Sequence, residues 1–211
     1  MARPATSGLT RDSVIDAAAA LVAEQGFDGL NVRALAERLG VAPMTPYRYV
    51  GTKEELLAAL ADRMLGELEI PPADEGTWEE QLTEIFRSMH RLLLANPELA
   101  EVSVRQPIAG AAAYRGAEAV LEALARGGIE GEDAIAAFAG LVALTQGFTL
   151  QQLHATGGRL GDRLMVLDSL SQTDHPRLNA LGPAFLLRDS DRHFEAALAT
   201  AIRGLATPTG G

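Results

Sequence analysis

The chain has 211 residues, no cysteine and a formal net charge of −10. That length suits one large or two modest domains with a real core, and the missing thiols exclude disulfides, thiolate zinc sites and cysteine chemistry. Abundant Ala and Leu beside six Phe, three Tyr and one Trp point to helix bundles with almost no sheet, so an all-α fold is expected.

Thr10 is placed to cap a first helix, with Asp12 in the first turn where the dipole favours an anion. Val14, Ala17, Ala18, Leu21 and Val22 form its apolar stripe, and Gly26-Phe27 reads as its C-cap with a hydrophobic clasp. Asn31 caps a second helix with Val32, Leu35, Ala36 and Leu39 on one face, and Gly40 supplies the left-handed residue that ends it. Three residues later Pro43 sits where a helix has its first position. Met44-Thr45-Pro46-Tyr47-Arg48-Tyr49 follows, short, barely charged and rich in groups that contact bases and phosphates. Two short helices joined by a three-residue turn make a helix-turn-helix, whose second helix enters the DNA major groove. Thr52-Lys53-Glu54-Glu55 is then a capping box opening a fourth helix that carries Leu56, Leu57, Leu60 and Met64.

Further along, residues 66–77 hold two Pro and two Gly without a helical stripe and mark a boundary. Residues 78–93 make a strong amphipathic helix closed before Asn96-Pro97. Shorter helices are expected over 98–105 and over 111–126, the latter stopped by Gly127-Gly128. Residues 134–153 are uncharged for twenty positions, long enough to weigh as a membrane span. Three Gln, two Thr and two Gly in that stretch favour a buried helix instead, and no membrane partner is expected. A helix over 159–170, an irregular piece around His175-Pro176 and a final helix over 190–205 complete the chain.

The head resembles the N-terminal domain of the TetR family of bacterial transcriptional repressors. The likeness rests on the helix ending in Gly26-Phe27, Val-Arg-x-Leu-Ala-x-x-Leu-Gly-Val at 32–41, Tyr-x-Tyr-Val at 47–50 and Lys-x-x-Leu-Leu at 53–57. A looser likeness at 96–107, 147–153 and 194–205 extends to the subgroup with a tetracycline-repressor-like C-terminal domain. The resemblance implies a DNA-binding domain at 1–51, a connecting helix at 52–69, a ligand-binding and dimerisation domain at 70–205, and a disordered tail at 206–211. It implies a homodimeric repressor that binds a palindromic operator on double-stranded DNA and is released by a small-molecule inducer of undefined class, with no cofactor and no metal. A ligand-independent regulator or protein-interaction dimer is the alternative.

The DNA-contacting residues it implies are Thr10, Arg33, Pro43, Met44, Thr45, Tyr47, Arg48, Tyr49 and Lys53, with Arg48 the best candidate for a bidentate reading of guanine. Lys53, the one lysine in the sequence, would share a phosphate with the amides of the fourth helix. Pro46 stands where the family usually has Leu. It biases Thr45 away from the α region, so the recognition helix is expected to start late or be distorted. Candidate pocket residues are Phe86, Met89, His90, Leu93, Arg105, Gln106, Tyr114, Phe138, Leu141, Thr145 and Thr149, and for each apolar one the competing reading is ordinary core. Arg105 and Gln106 match a pocket-edge segment of the tetracycline repressor. The His and Glu that hold its magnesium chelate have no counterparts, so a tetracycline–metal inducer is not expected. The dimer interface would use Phe138, Leu141, Leu153, Phe194, Leu198, Ile202 and Leu205.

Charge is divided along the chain. Residues 1–53 carry six Lys and Arg against five Asp and Glu, and the remainder carries twelve against twenty-three. An acidic body beyond a Debye length of about 10 Å leaves a near-neutral head free to bind phosphate. The four His show no metal spacing and no nucleophile motif, and the Gly-Gly pairs lack the Lys-Ser/Thr of a phosphate loop. Catalysis is not expected. Residues 1–9 lack a hydrophobic signal core, so a cytoplasmic chain is expected.

Overall fold

The computed structural model describes residues 8–105, 109–154, 160–186 and 190–206, and every regular element among them is helical. The head begins with α1 (Arg11–Gly29), where Thr10 and Ser13 form a reciprocal capping box. Gly26, at φ 70°, breaks this helix as its sequence foretold, and the Leu30 amide donates to the Phe27 carbonyl. In α2 (Val32–Leu39) the Asn31 side chain accepts from the amides of Arg33 and Ala34, and Gly40 closes the helix at φ 65°.

The recognition helix α3 (Tyr47–Val50) starts late. Proline has no amide to give the Ala42 carbonyl, which accepts from Thr45 one residue earlier at 2.9 Å. A tight turn over 43–46 therefore leads into a single α-helical turn. The Pro46 ring itself is buried, occupying the core position where the family pattern carries Leu. Val14, Ala18, Leu21, Leu35, Val50, Leu56 and Leu60 fill the head's core.

The fourth helix, α4 (Lys53–Leu65), opens on the capping box of Thr52 with Glu55. Its two halves belong to different cores. Leu56 and Leu60 pack in the head, while Ala61 packs with Leu93, Leu99 and Ala100 of the body. The body comprises α5 (Trp78–Ala95), α6 (Pro97–Arg105), α7 (Ala111–Arg126), α8 (Gly131–His154), α9 (Leu160–Asp168), α10 (Pro176–Leu181), a 3-10 turn at Gly182–Phe185, and α11 (Ser190–Leu205). Helix α10 occupies the stretch around His175-Pro176 expected to be irregular, because Pro176 takes the first-turn position where its missing amide costs nothing.

The main core joins Leu82, Ile85 and Phe86 of α5 to Val120 and Leu124 of α7, Leu141 of α8, and Phe194, Leu198 and Ile202 of α11. Although α8 has the length and hydropathy of a membrane span, it packs against α5, α6, α7 and α11. Its two buried hydroxyls return to its own backbone, Thr145 to the Leu141 carbonyl at 2.9 Å and Thr149 to the Thr145 carbonyl at 2.8 Å. Arg87 ties α5 to α11 through Glu195, contacts that raise its already high pKa further.

Candidate DNA-reading surface and ligand cavity

The head separates its cations into two sets. Arg38 donates both terminal nitrogens to Glu24 at 2.8 Å, and Arg63 pairs with Asp16, so these two fasten α2 and α4 to α1. The hydrogen bonds between Arg38 and Glu24 hold the carboxyl below its usual pKa. Arg33, Arg48 and Lys53 are exposed, and among the described residues none has a carboxylate within ion-pair distance. Pro43 and Met44 are exposed beside them, Met44 with 66% of its surface open. Uncompensated cations and a bare thioether on a helix-turn-helix suit a surface that meets phosphate and base edges.

Tyr47 and Tyr49 are half-buried, their rings packed on the head core. Burial, aided by the nearby Glu54 charge, raises the Tyr47 pKa and keeps the phenol neutral, able to donate to a phosphate oxygen. Thr45 is half-buried in the turn. The exposed Thr10 already uses its hydroxyl oxygen to accept from the Ser13 amide at 3.1 Å.

The body holds a cavity of about 390 Å³ between α4, α5, α6, α7 and α8, within the range of small-molecule sites. Five sequence candidates line it: Phe86, Met89, Leu93, Tyr114 and Phe138. Others do not. Arg105 is exposed at the end of α6 and pairs with Glu101. Thr145, Thr149 and Leu141 are buried between helices. His90 stacks on Phe194, ring centroids 3.9 Å apart, and its Nδ1 meets the Thr149 hydroxyl at 2.9 Å. Its burial lowers its pKa, against the pull of Asp191, Gln152 and Glu195. Gln106 lies outside the described residues, as does the tail beyond Ala206.

Several lining residues escaped sequence reasoning: Leu65 and Leu68 near the end of α4, Ser103 of α6, Ala112, Ala113, Gly116 and Ala117 of α7, and Val142 and Gln146 of α8. The small residues of α7 are a legible signal after the fact, since they leave room that larger side chains would fill. The cavity wall is also tied to the head. Gly110 caps α7 without a side chain, and the Asp62 carboxylate of α4 supplies the cap, accepting from the Ala113 amide at 2.9 Å. A Cβ on Gly110 would overlap that carboxylate. Arg115 of α7 in turn donates to the Gly66 carbonyl at the end of α4, at 2.9 Å.

Four of the seven dimer candidates require a correction. Leu141, Phe194, Leu198 and Ile202 are at most 2% exposed within the protomer, leaving no surface for a partner. Phe138 and Leu205 pack on the same core, and Leu153 on the cluster around Leu93. Their helical periodicity marks the face turned toward the chain's own bundle. What α8 and α11 leave uncovered is a second face of small residues: Ala136, Ala139, Gly140, Ala143, Ala196, Ala199 and Gly204, with Ile135 beside them.

Known proteins match this architecture in both halves. The family description "Bacterial regulatory proteins, tetR family" matches residues 14–60, and "Tetracyclin repressor-like, C-terminal domain" matches residues 70–208. The chain belongs to the TetR family. The class A tetracycline repressor from transposon 1721 of Escherichia coli is 35% identical over 202 residues, 94% of this chain and 91% of that protein. An HTH-type transcriptional regulator of Saccharopolyspora erythraea is 28% identical over 209 residues, 96% of this chain and 86% of its own length. Apo ActR from Streptomyces coelicolor superposes with a TM-score of 0.86 at 31% identity, covering 97% of this chain and 100% of ActR. The ActR complex with actinorhodin gives 0.82 at 31% identity, covering 95% of this chain and 96% of that one. As a TetR-family member the protein is a DNA-binding transcriptional regulator rather than an enzyme.

Proposed function

We propose that this TetR-family regulator is a cytoplasmic homodimeric repressor that grips a palindromic operator and leaves it when a small molecule fills the α4–α8 cavity. The observation that carries the reading is the position of α4, which ends in the cavity wall at Leu65, packs Ala61 in the body, and begins with Lys53 on the DNA side. ActR, similar over nearly the whole chain, has been crystallised with actinorhodin, which supports a ligand in the body. The exposed head residues Arg33, Pro43, Met44, Arg48 and Lys53, with Thr45 and the tyrosines behind them, form the reading surface, and Thr10 is a backbone contact.

Releasing DNA 100-fold requires about 2.8 kcal/mol of ligand preference for the released state. The Asp62 cap and the Arg115–Gly66 bond are each worth about 1 kcal/mol. A ligand that parts α7 from α4 would break both, so its own contacts must offset about 2 kcal/mol before any preference for the released state remains.

Dimerisation is supported by glycines that the protomer does not need. A side chain at Gly140, Gly147 or Gly204 would meet nothing within 4 Å, yet glycine costs a helix about 1 kcal/mol relative to Ala. A partner helix at close approach explains them. An open groove of about 650 Å³ beside Gly140 and Gly204 lies on this face. It is lined mostly by Gly, Ala, Ile and Leu, with Asp133 its one charged residue among those described.

The test is an anisotropy titration on a selected DNA site, with and without the small-molecule fraction of the host cell. Wild type should be released and the cavity-filling Ala117→Trp variant should stay bound. Release of both alike would refute the cavity as the inducer site.

A further inference from the structure

We infer that the cavity takes an uncharged, flat, mostly apolar molecule whose hydroxyl donates to Gln146, an inference that rests on reading the cavity as the inducer site. Three observations lead there. No Asp, Glu, Lys, Arg or His is among the described residues that line it. A ligand carboxylate or ammonium would therefore lose its water without gaining a counter-charge, which weakens its binding by orders of magnitude.

The second observation is shape. On the α7 side the wall is mostly small, Ala112, Ala113, Gly116 and Ala117, with Tyr114 and Val120 as its larger side chains. At Gly116 even a methyl would sit 3.1 Å from the Leu68 side chain. Bulk comes from Phe86 and Met89 of α5 and Phe138 of α8. A slot with a mostly small-residue wall broken by one phenol ring, and with aromatic and thioether bulk from α5 and α8, fits a planar ring better than a branched aliphatic chain, since rings stack and thioethers pack well on ring edges.

Polarity is the third. Gln146 of α8 is the amide in the cavity wall, and its Nε2 donates to the Ser103 carbonyl at 3.1 Å and to the Ser103 hydroxyl oxygen at 3.2 Å. The Ser103 hydroxyl donates onward to the Ala100 carbonyl at 2.9 Å. The donors of both side chains are thus committed to α6. Among the described residues no donor reaches Gln146 Oε1, so the wall offers an acceptor. A ligand hydroxyl satisfies it, whereas a ligand bearing only acceptors leaves it unmet and finds its donor in the Tyr114 hydroxyl or by breaking the Gln146–Ser103 link.

The test uses three probes that share one ring system: 2-naphthol, 2-methoxynaphthalene and 2-naphthoate, titrated into the purified full chain and followed by naphthalene fluorescence. The naphthol should bind about 3- to 10-fold more tightly than the ether, the worth of one hydrogen bond. The naphthoate should bind at least about 100-fold more weakly than the naphthol. Gln146→Leu should bind naphthol and ether equally, and the wild-type ranking stands even if that variant folds poorly. Binding that survives Ala117→Trp lies elsewhere and sinks the cavity reading itself. Binding that Ala117→Trp abolishes, but with naphthoate as tight as naphthol or with the naphthol preference intact in Gln146→Leu, overturns this inference alone. Failure of all three probes to bind overturns the flat-ring assignment.

Discussion

Arg48 and Lys53 are both exposed cations without a carboxylate partner among the described residues, yet they should fail differently. Arg48 on the recognition turn can meet guanine O6 and N7 with two donors, so Arg48→Ala should cost about 1–3 kcal/mol of specific affinity and leave dimerisation unchanged. Operator binding as tight as wild type would remove it from the readout. Lys53 carries one charge at a helix start, so Lys53→Ala should weaken binding on every sequence and lower the salt slope by about one phosphate per subunit. An unaltered slope would make it a bystander. His90 gives a prediction in pH. Burial lowers its pKa, so below about 6.5 the unfolded chain takes up a proton that the native chain refuses. Stability should therefore fall as pH drops through that value, and His90→Gln should flatten this part of the urea-midpoint profile. Parallel profiles would show that His90 is not the group responsible. Its role as a stacked tether for Phe194 was not legible, because a histidine on an amphipathic stripe looks the same whether it faces a cavity or a core.

Among the helices, caps and stops were the most legible features, because Asn31, Gly40, Thr52 and Glu55 act within one turn of where they stand in sequence. Pro46 was legible for the same reason, and the late start of α3 follows from its missing amide. The link between α4 and α7 was not, since the cap that α7 needs is 51 positions away in the chain. Asp62→Ala should leave α7 uncapped, destabilising it by about 1 kcal/mol. It should also raise the ratio of operator affinities without and with the inducing fraction by up to about fivefold, because the ligand no longer has to break that bond. A ratio equal to wild type would place the coupling in another contact. The cavity's composition was only half legible: Phe86, Met89, Leu93, Tyr114 and Phe138 carried the signal of large side chains, but the space is made by alanines and Gly116, which sequence periodicity cannot distinguish from helix filler.

For the molecule as a whole, charge is segregated into a near-neutral head and an acidic body, which keeps the body from competing for DNA and favours approach head first. One head alone would bury too little surface for a tight specific site, which is why two are proposed to act together. The face proposed for that pairing could not be read from hydrophobic periodicity, which found the protomer's own core at Leu141, Phe194, Leu198 and Ile202. Because a side chain at Gly140 meets open space in the protomer, Gly140→Arg should leave the fold intact while halving the mass seen by sedimentation. It should abolish tight operator binding as well. A variant that still sediments as a dimer would move the interface away from α8.

The most direct measurement is selection of bound sequences from a random double-stranded DNA pool by the purified protein, followed by a shift assay on the enriched site. A palindrome with half-sites about one helical turn apart is expected, shifted by two protomers. Failure to enrich any sequence at low salt, or enrichment of a lone half-site bound by one protomer, would contradict a dimeric operator-binding regulator.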